Sequence, residues 1–322
     1  MPFSWVGQRV LLTGGSGFLG QNMTQLLKGV NSNRGIEKFT AAPHLGGTDL
    51  RSSYETAALF GTVQPTVVIH MAGLVGGIQA NLTRPADFFY DNVVMGANVL
   101  RCAQEFGLKK AVAVAAGCGY PERAPVPTRE TDYWDGYPQA PSAAYSLAKR
   151  MLIVQAEALY RQHGFVTVVG IPGNIYGPYD NFHLTEGHVV PALVRKFVDA
   201  AQTGAAKVVA WGSGKATRDF VYAEDVCDGL LRAAEVYESP QLVNLSSGIE
   251  TTIAEVVDHL VTLTGFKGRV EWDRSMPDGQ SRRFFDVTKA QRDLGFTAKT
   301  SLEDGLAKTV EWYQKNQEKA RK

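Results

Sequence analysis

The chain has 322 residues, a formal net charge of +1, and a composition that is 44% hydrophobic and 20% charged. This is ordinary for a globular protein with room for one large domain or two smaller ones, and the near-neutral balance gives no electrostatic ground for binding nucleic acid or an anionic membrane. Three cysteines, Cys102, Cys118 and Cys227, form no CxxC pair, which argues against a structural zinc site or a disulfide framework and fits a reducing compartment.

The first segment, "MPFSWVGQRVLLTGG", lacks the charged region, apolar region and small-residue cleavage site of a secretory signal. No apolar run approaches the ~18 residues of a membrane span, so a soluble cytoplasmic protein is expected, with no metal site. "RVLLTGG" reads as a short buried strand ending in glycines, and an amphipathic helix follows from Gly17 to about Lys28. "TVVIHMAG" (Thr66–Gly73), "KKAVAVAAG" (Lys109–Gly117) and "VTVVGIPGNIYG" (Val166–Gly177) read as further strands. Between the first two of these, Phe88, Val93, Val94, Ala97, Leu100 and Cys102 recur at helical spacing. The last strand follows a helix that carries Tyr145. Short runs that are apolar on both faces, alternating with helices, predict βαβ units and a Rossmann-like, doubly wound parallel sheet.

Beyond Gly177 the pattern loosens. "NFHLTEGHVVPALVRKFVDAA" starts as a loop and becomes a helix, and "KVVAWGSGKATRDFVYAEDV" reads as strand, turn, strand and helix start. Helices follow at Thr252–Thr264 and Ser301–Lys315. The expected division is a dinucleotide-binding domain over 1–180, with later elements at 205–250 interleaved, and a smaller α/β substrate-binding lobe mainly over 181–322.

Two motifs carry chemistry. In "LLTGGSGFLGQN", Gly14, Gly17 and Gly20 follow a strand and enter a helix. This is a G-x-x-G-x-x-G form of the dinucleotide fingerprint. The first glycine allows the turn, the second lets the backbone approach a pyrophosphate at the helix N-terminus, and the third allows close packing. The cofactor choice is less marked. Ala41, Ala42, Pro43 and His44 stand where a ribose-binding acid would lie, so NADP(H) is preferred and NAD(H) stays open. Asp49 and Leu50 follow where a loop can edge the adenine. The second motif, in "SAAYSLAKRM", puts Tyr145 and Lys149 on one helix face. An ammonium beside a phenol favours the phenolate, so the pair suits proton exchange with a sugar oxygen while hydride moves at the same carbon.

With these motifs the sequence resembles the extended short-chain dehydrogenase/reductase (NAD-dependent epimerase/dehydratase) family. "VIHMAGLVGGIQAN", "GNIYGPYDNFH", "GHVVPALVRKF" and "WGSGKATRDFVY" resemble its GDP-L-fucose synthase branch, from the glycine loop almost to the C-terminus. The resemblance implies 3,5-epimerisation and NADPH-dependent C4 reduction of an NDP-4-keto-6-deoxyhexose, a GDP-sugar above all. It implies that Cys118 in "AGCGYP" and His188 in "GHVVPAL" share the epimerisation. Thiol and imidazole have side-chain pKa values near neutrality, which suits that task. A turn cysteine can also be a small buried residue, and a histidine at a helix start a local cap. His183 reads as a loop contact, and His70, His163 and His259 as structural or surface residues. The resemblance also places Ser16, Phe18, Leu19, Met71, Ala72, Gly73, Ala115, Pro172, Asn174, Ile175 and His188 around the cofactor. It places Asn174, Lys196, Trp211, Arg218 and Arg283 around the nucleotide sugar, where cations can pair with a diphosphate and an indole can pack on a nucleoside. It further implies a homodimer through the helices Ala86–Phe106 and Ala143–His163.

One departure stands out. The family has Ser or Thr two positions before the loop cysteine, donating to the reacting carbonyl oxygen. Here that position is Ala116, followed by Gly117. Removing one preorganised donor costs on the order of 10²–10³ in rate. Three alternatives therefore stay open: an epimerase alone, a C4 reductase alone on another NDP-hexose, and a non-catalytic nicotinamide-binding protein.

Overall fold

The computed structural model describes residues 3–29, 34–42, 47–276 and 278–322. In the first half, strands and helices alternate: β1 (Arg9–Thr13), α1 (Phe18–Lys28), β2 (Lys38–Ala41), α2 (Ser53–Val63), β3 (Val67–His70), α3 (Ile78–Thr83), α4 (Pro85–Glu105), β4 (Lys110–Val114), α5 (Ala143–His163) and β5 (Thr167–Pro172). The second half runs β6 (Asn174–Tyr176), α6 (Val189–Thr203), β7 (Lys207–Trp211), β8 (Thr217–Tyr222), α7 (Ala223–Val236), β9 (Leu242–Leu245), β10 (Glu250–Thr252), α8 (Ile253–Thr264), β11 (Arg269–Asp273), β12 (Arg282–Arg283), α9 (Thr288–Leu294) and α10 (Leu302–Asn316).

The expected Rossmann-like sheet is present, with strand order β2-β1-β3-β4-β5-β9 and every pair parallel. β3, β4 and β5 are buried at every position, which a sheet tolerates only when helices cover both faces. Alternate residues separate into two cores. Leu11, Val68, Ala111 and Val169 pack with Phe60 of α2, Val99 of α4 and Leu152 of α5. Val10, Ile69, Val112 and Val168 pack with Met23 of α1, Leu230 of α7 and Leu294 of α9. β2 and β3 lie on opposite sides of β1. The loops leaving β1 and β3 therefore part at a topological switch point, where open α/β sheets bind ligands.

A third core holds Phe182, Leu193, Phe197, Val208, Leu260 and Tyr313, which joins α6, α8 and α10 to two small sheets. β8 pairs with β6, β10 and β12, and β7 pairs with β11. Of the stretch 205–250, β9 enters the large sheet, while β7 and β8 stay in the small ones. β6, β10 and β12 are three, three and two residues long, too short to show a period in the sequence. Among the described residues no helix is long and apolar enough to cross a membrane.

Candidate active site

The glycine loop crosses the carboxyl end of β1. Gly14 has φ +73, and a Cβ there would lie 2.6 Å from the Ala72 amide nitrogen. β1 and the turn after β3 can approach this closely only at glycine. α1 starts at Gly17 without a side-chain cap and without an acidic residue in its first turn. Its amides and dipole are thus compatible with an anion, as the pyrophosphate of a dinucleotide requires. Met71, Ala72 and Gly73 flank this loop at the end of β3, and Ala115 lies one residue past β4. Pro172 ends β5, and Asn174 and Ile175 form β6, paired with Phe220 and Val221. Pro43 and His44, named above for the ribose, lie outside the described residues. Asp49 is ion-paired with Arg51 at 2.8 Å, and Arg51 reaches Asp91 at 3.4 Å. Leu50 is buried and its carbonyl accepts from Asn98. Arg51 is a cation that reading the end of β2 alone passes over.

Tyr145 and Lys149 sit in the first two turns of α5. The Tyr145 ring meets Phe88 edge-on at 6.2 Å. The Lys149 amine lies 6.0 Å from the Tyr145 ring centroid and donates to the Val114 carbonyl at 3.3 Å. Burial pushes Lys149 down to about 8, against the opposing pull of Cys118. Burial pushes Tyr145 well above the usual phenol range, with Cys118 and Tyr133 adding to it. The sequence expectation is that Lys149 lowers the phenol; in this structure desolvation is the dominant influence on Tyr145 and acts in the opposite direction. His70 lies beneath, bonded to Thr13 at 2.8 Å. Burial and Lys149 hold it down to about 3, so it stays neutral.

Ala116 is extended (φ −136, ψ 135), and Gly117–Gly119 then make one 3-10 turn that carries Cys118. Two side chains hold the turn from behind. Tyr133 donates to the Ala116 carbonyl at 3.0 Å. Arg150 donates to the Gly119 and Gly136 carbonyls, at 2.9 Å each. Its guanidinium lies over the rings of Tyr133 and Trp134 at 5.5 and 5.4 Å. A Cβ on Gly117 would come within 2.8 Å of the Phe285 ring and 2.9 Å of the Pro172 carbonyl oxygen, which explains why no hydroxyl-bearing residue stands at 117. Arg150 had no separate signal in the sequence, where it is one more cation on a helix after Lys149.

Beside the turn lies an open cleft lined by Cys118, Gln139, Gln280, Arg282, Arg283 and Phe285. Arg283 lines this cleft with Cys118, and burial lowers its basicity. Arg283 is in register with Arg218 across β12 and β8. Arg218 donates to the Thr217 and Gln280 carbonyls at 2.7 Å each. Burial and the neighbouring Arg283 push Arg218 down to about 10. Two partly buried like charges side by side favour a polyanion between them. Lys196 donates to the Val209 carbonyl at 2.9 Å and lies 5.0 Å from the ring centroid of the half-exposed Trp211.

His188 occupies the N-cap position of α6 but caps nothing with its side chain. Its Nδ1 lies 4.0 Å from Asp180 Oδ1. His183 is bound up in its own loop, its Nδ1 accepting the Thr185 and Glu186 amides at 3.3 and 3.0 Å. Asp180, within "GNIYGPYDNFH", carries no signal of its own in the sequence.

Residues 10–246 match the NAD dependent epimerase/dehydratase family. The chain is 36% identical over 308 residues to GDP-L-fucose synthase 1 of Arabidopsis thaliana, covering 96% of this chain and 94% of that protein. It is 33% identical over 325 residues to GDP-L-fucose synthase of Escherichia coli (strain K12), covering 98% and 99%. The structure superposes on a GDP-L-fucose synthetase from Naegleria fowleri bound to NADP with a TM-score of 0.88 and 31% identity, covering 100% of this chain and 98% of that one.

Proposed function

The chain belongs to the NAD dependent epimerase/dehydratase family, and we propose that it is an NADP(H)-dependent enzyme acting on a GDP-linked 4-keto-6-deoxyhexose. It epimerises C3 and C5 and reduces C4, the activity named for its GDP-L-fucose synthase relatives. One observation carries the reading: the Gly117–Gly119 turn that carries Cys118 packs against α5, the helix of Tyr145 and Lys149. A proton-exchanging thiol and a carbonyl-directed phenol thus serve one substrate position.

The C4 ketone acidifies the hydrogens on its neighbouring carbons. Cys118 and His188 take a proton from one face and return one to the other, with negative charge collecting on the C4 oxygen in between. Tyr145, held protonated by burial, donates to that oxygen during reduction. Lys149, charged below pH 8, holds ribose hydroxyls. NADPH, when bound, supplies the hydride. The residues suited to hold it are Gly14, Ser16, Gly17, Phe18, Leu19 and Gly20 at the diphosphate, Asp49 and Leu50 at the adenine side, and Met71 to Gly73, Ala115, Pro172, Asn174 and Ile175 along the strand ends. Arg218, Arg283, Lys196 and Trp211 hold the nucleoside diphosphate. On this reading 1–180 is mainly the cofactor lobe and 181–322 mainly the substrate lobe.

Ala116 favours a second reading in which epimerisation proceeds and reduction is weak. One experiment separates the two. The protein is mixed with GDP-4-keto-6-deoxymannose and NADPH in D2O, and deuterium at C3 and C5 and loss of reduced-nicotinamide absorbance are followed. Exchange with NADPH consumption supports the full reaction. Exchange alone supports the second reading, and neither event rejects both.

A cytoplasmic homodimer belongs to the same proposal. α4 and α5 pack on each other and leave Phe89, Tyr90, Met151, Val154 and Tyr160 substantially exposed, a face suited to a second copy's equivalent helices. Light scattering that gives twice the chain mass supports this, and a monomer at micromolar concentration rejects it.

A further inference from the structure

The loop that leads from β6 to His188 keeps a carboxylate for which the reaction above has no task. Asp180 is 2% exposed. Its Oδ1 accepts the Asn181 amide at 2.7 Å, and among the described residues its Oδ2 has no hydrogen-bond partner. A buried carboxylate oxygen without a donor is destabilising, so its retention calls for a function. The imidazole of His188 stands beside it, with Nδ1 4.0 Å from Oδ1 and a side chain 48% exposed toward solvent.

The backbone around Asp180 is braced. Tyr179 has φ +69, a left-handed conformation that a non-glycine residue holds only when its surroundings impose it. The Tyr179 ring packs on Trp312 at 4.9 Å, and its carbonyl accepts from Arg321 at 3.4 Å. The Phe182 amide donates to the Arg321 carbonyl at 2.8 Å. From the cofactor side, Asn22 of α1 donates to the Pro178 carbonyl at 2.9 Å. The loop is therefore fixed from both lobes, with Asp180 turned inward.

We propose that Asp180 is a positioning residue for His188: its carboxylate accepts the Nδ1–H of the imidazole, fixes the ring's orientation and tautomer, and leaves Nε2 to exchange the proton with the sugar. This rests on the reading of His188 as a proton-exchanging group. When Nε2 takes a proton, the imidazolium faces the carboxylate. When Nε2 gives it to carbon, the neutral Nδ1–H tautomer remains, and no proton passes to Asp180. The 4.0 Å separation exceeds a hydrogen bond, as contacts of this kind do before substrate tightens them. Burial pushes Asp180 up to about 6, with His188, the Asn181 amide and Arg321 pulling it back toward the carboxylate.

Asp180→Asn keeps the shape and removes the acceptor charge. Its expected effects are a fall of about 10²-fold or more in deuterium exchange at C3 and C5, approaching the ~10⁴ seen when a histidine loses a directly bonded orienting carboxylate, and an unchanged or higher Tm. In ¹⁵N-histidine spectra of the unliganded protein, the His188 signals, identified by their loss in His188→Gln, move from the Nε2-unprotonated pattern to a mixture. Exchange within threefold of the parent protein, an unchanged tautomer pattern, or a fall in Tm large enough to account for the lost exchange overturns the proposal. If the parent protein itself exchanges at neither carbon, the proposed function fails, while the tautomer readout still tests Asp180 on its own.

Discussion

Ala116→Ser adds one hydroxyl at the point where β4 runs into the Cys118 turn. The backbone there is extended, at φ −136 and ψ 135, a conformation serine adopts without strain. The residue's carbonyl stays held by Tyr133 at 3.0 Å, so the turn need not move. Position 116 is 8% exposed. A hydroxyl there either meets the substrate's C4 oxygen or remains a poorly satisfied polar group, costing roughly 1–3 kcal/mol. A preorganised donor of this kind is worth on the order of 10²–10³ in rate. A restored donor in a site that has settled around a methyl group recovers part of that, about tenfold, or ~1.4 kcal/mol. The assay is single-turnover NADPH oxidation with GDP-4-keto-6-deoxymannose. Deuterium exchange at C3 and C5 is measured in parallel and should hold or rise, because epimerisation also gathers charge on the C4 oxygen. Unchanged or slower NADPH oxidation, in a folded variant that still exchanges protons, refutes the argument that the methyl at 116 limits reduction.

Three further outcomes follow from the same geometry. Gly117→Ser forces a Cβ to within 2.8 Å of Phe285, so it lowers stability by about 1–3 kcal/mol and does not mimic Ala116→Ser; a thermal melt equal to the parent's speaks against this packing. Arg150→Met removes the bonds to the Gly119 and Gly136 carbonyls, each worth about 1.5–3 kcal/mol as a charged donor; lower Tm and at least tenfold slower C3/C5 exchange are expected, and unaltered exchange contradicts the bracing role. Lys149 is held at about 8, charged below that pH and neutral above it, while Tyr145 stays protonated throughout. The KM for NADPH should therefore rise as pH is raised through 8, and a flat profile to pH 9.5 is the contrary result.

Much of the frame was legible because its signals are local. β1, the glycine loop and α1 form a contiguous pattern, and Tyr145 and Lys149 share one helix face whatever lies around them. The remainder depends on neighbours distant in the chain. Gly117 carries no reason of its own until Phe285 and the Pro172 carbonyl are seen against it. The adjacency of Arg218 and Arg283 comes from the pairing of β8 with the two-residue β12, which has no period to read. The direction of the Tyr145 shift is set by burial, which the spacing of tyrosine and lysine does not express. Asp180 sits in a motif that is plain in the sequence, yet its unpartnered oxygen and its nearness to His188 exist only in the folded loop.

The central claim is that one crevice does two kinds of proton work: Cys118 and His188 at carbon, Tyr145 at oxygen. Its most direct measurement is a time course in D2O with GDP-4-keto-6-deoxymannose and NADPH, following deuterium at C3 and C5 and NADPH consumption in the same sample, for the parent protein and for Cys118→Ser, His188→Gln and Tyr145→Phe. The expected result is exchange lost or redistributed between the two carbons in Cys118→Ser and His188→Gln, and NADPH consumption lost in Tyr145→Phe while exchange persists. Full exchange at both carbons in Cys118→Ser, or undiminished NADPH consumption in Tyr145→Phe, contradicts it.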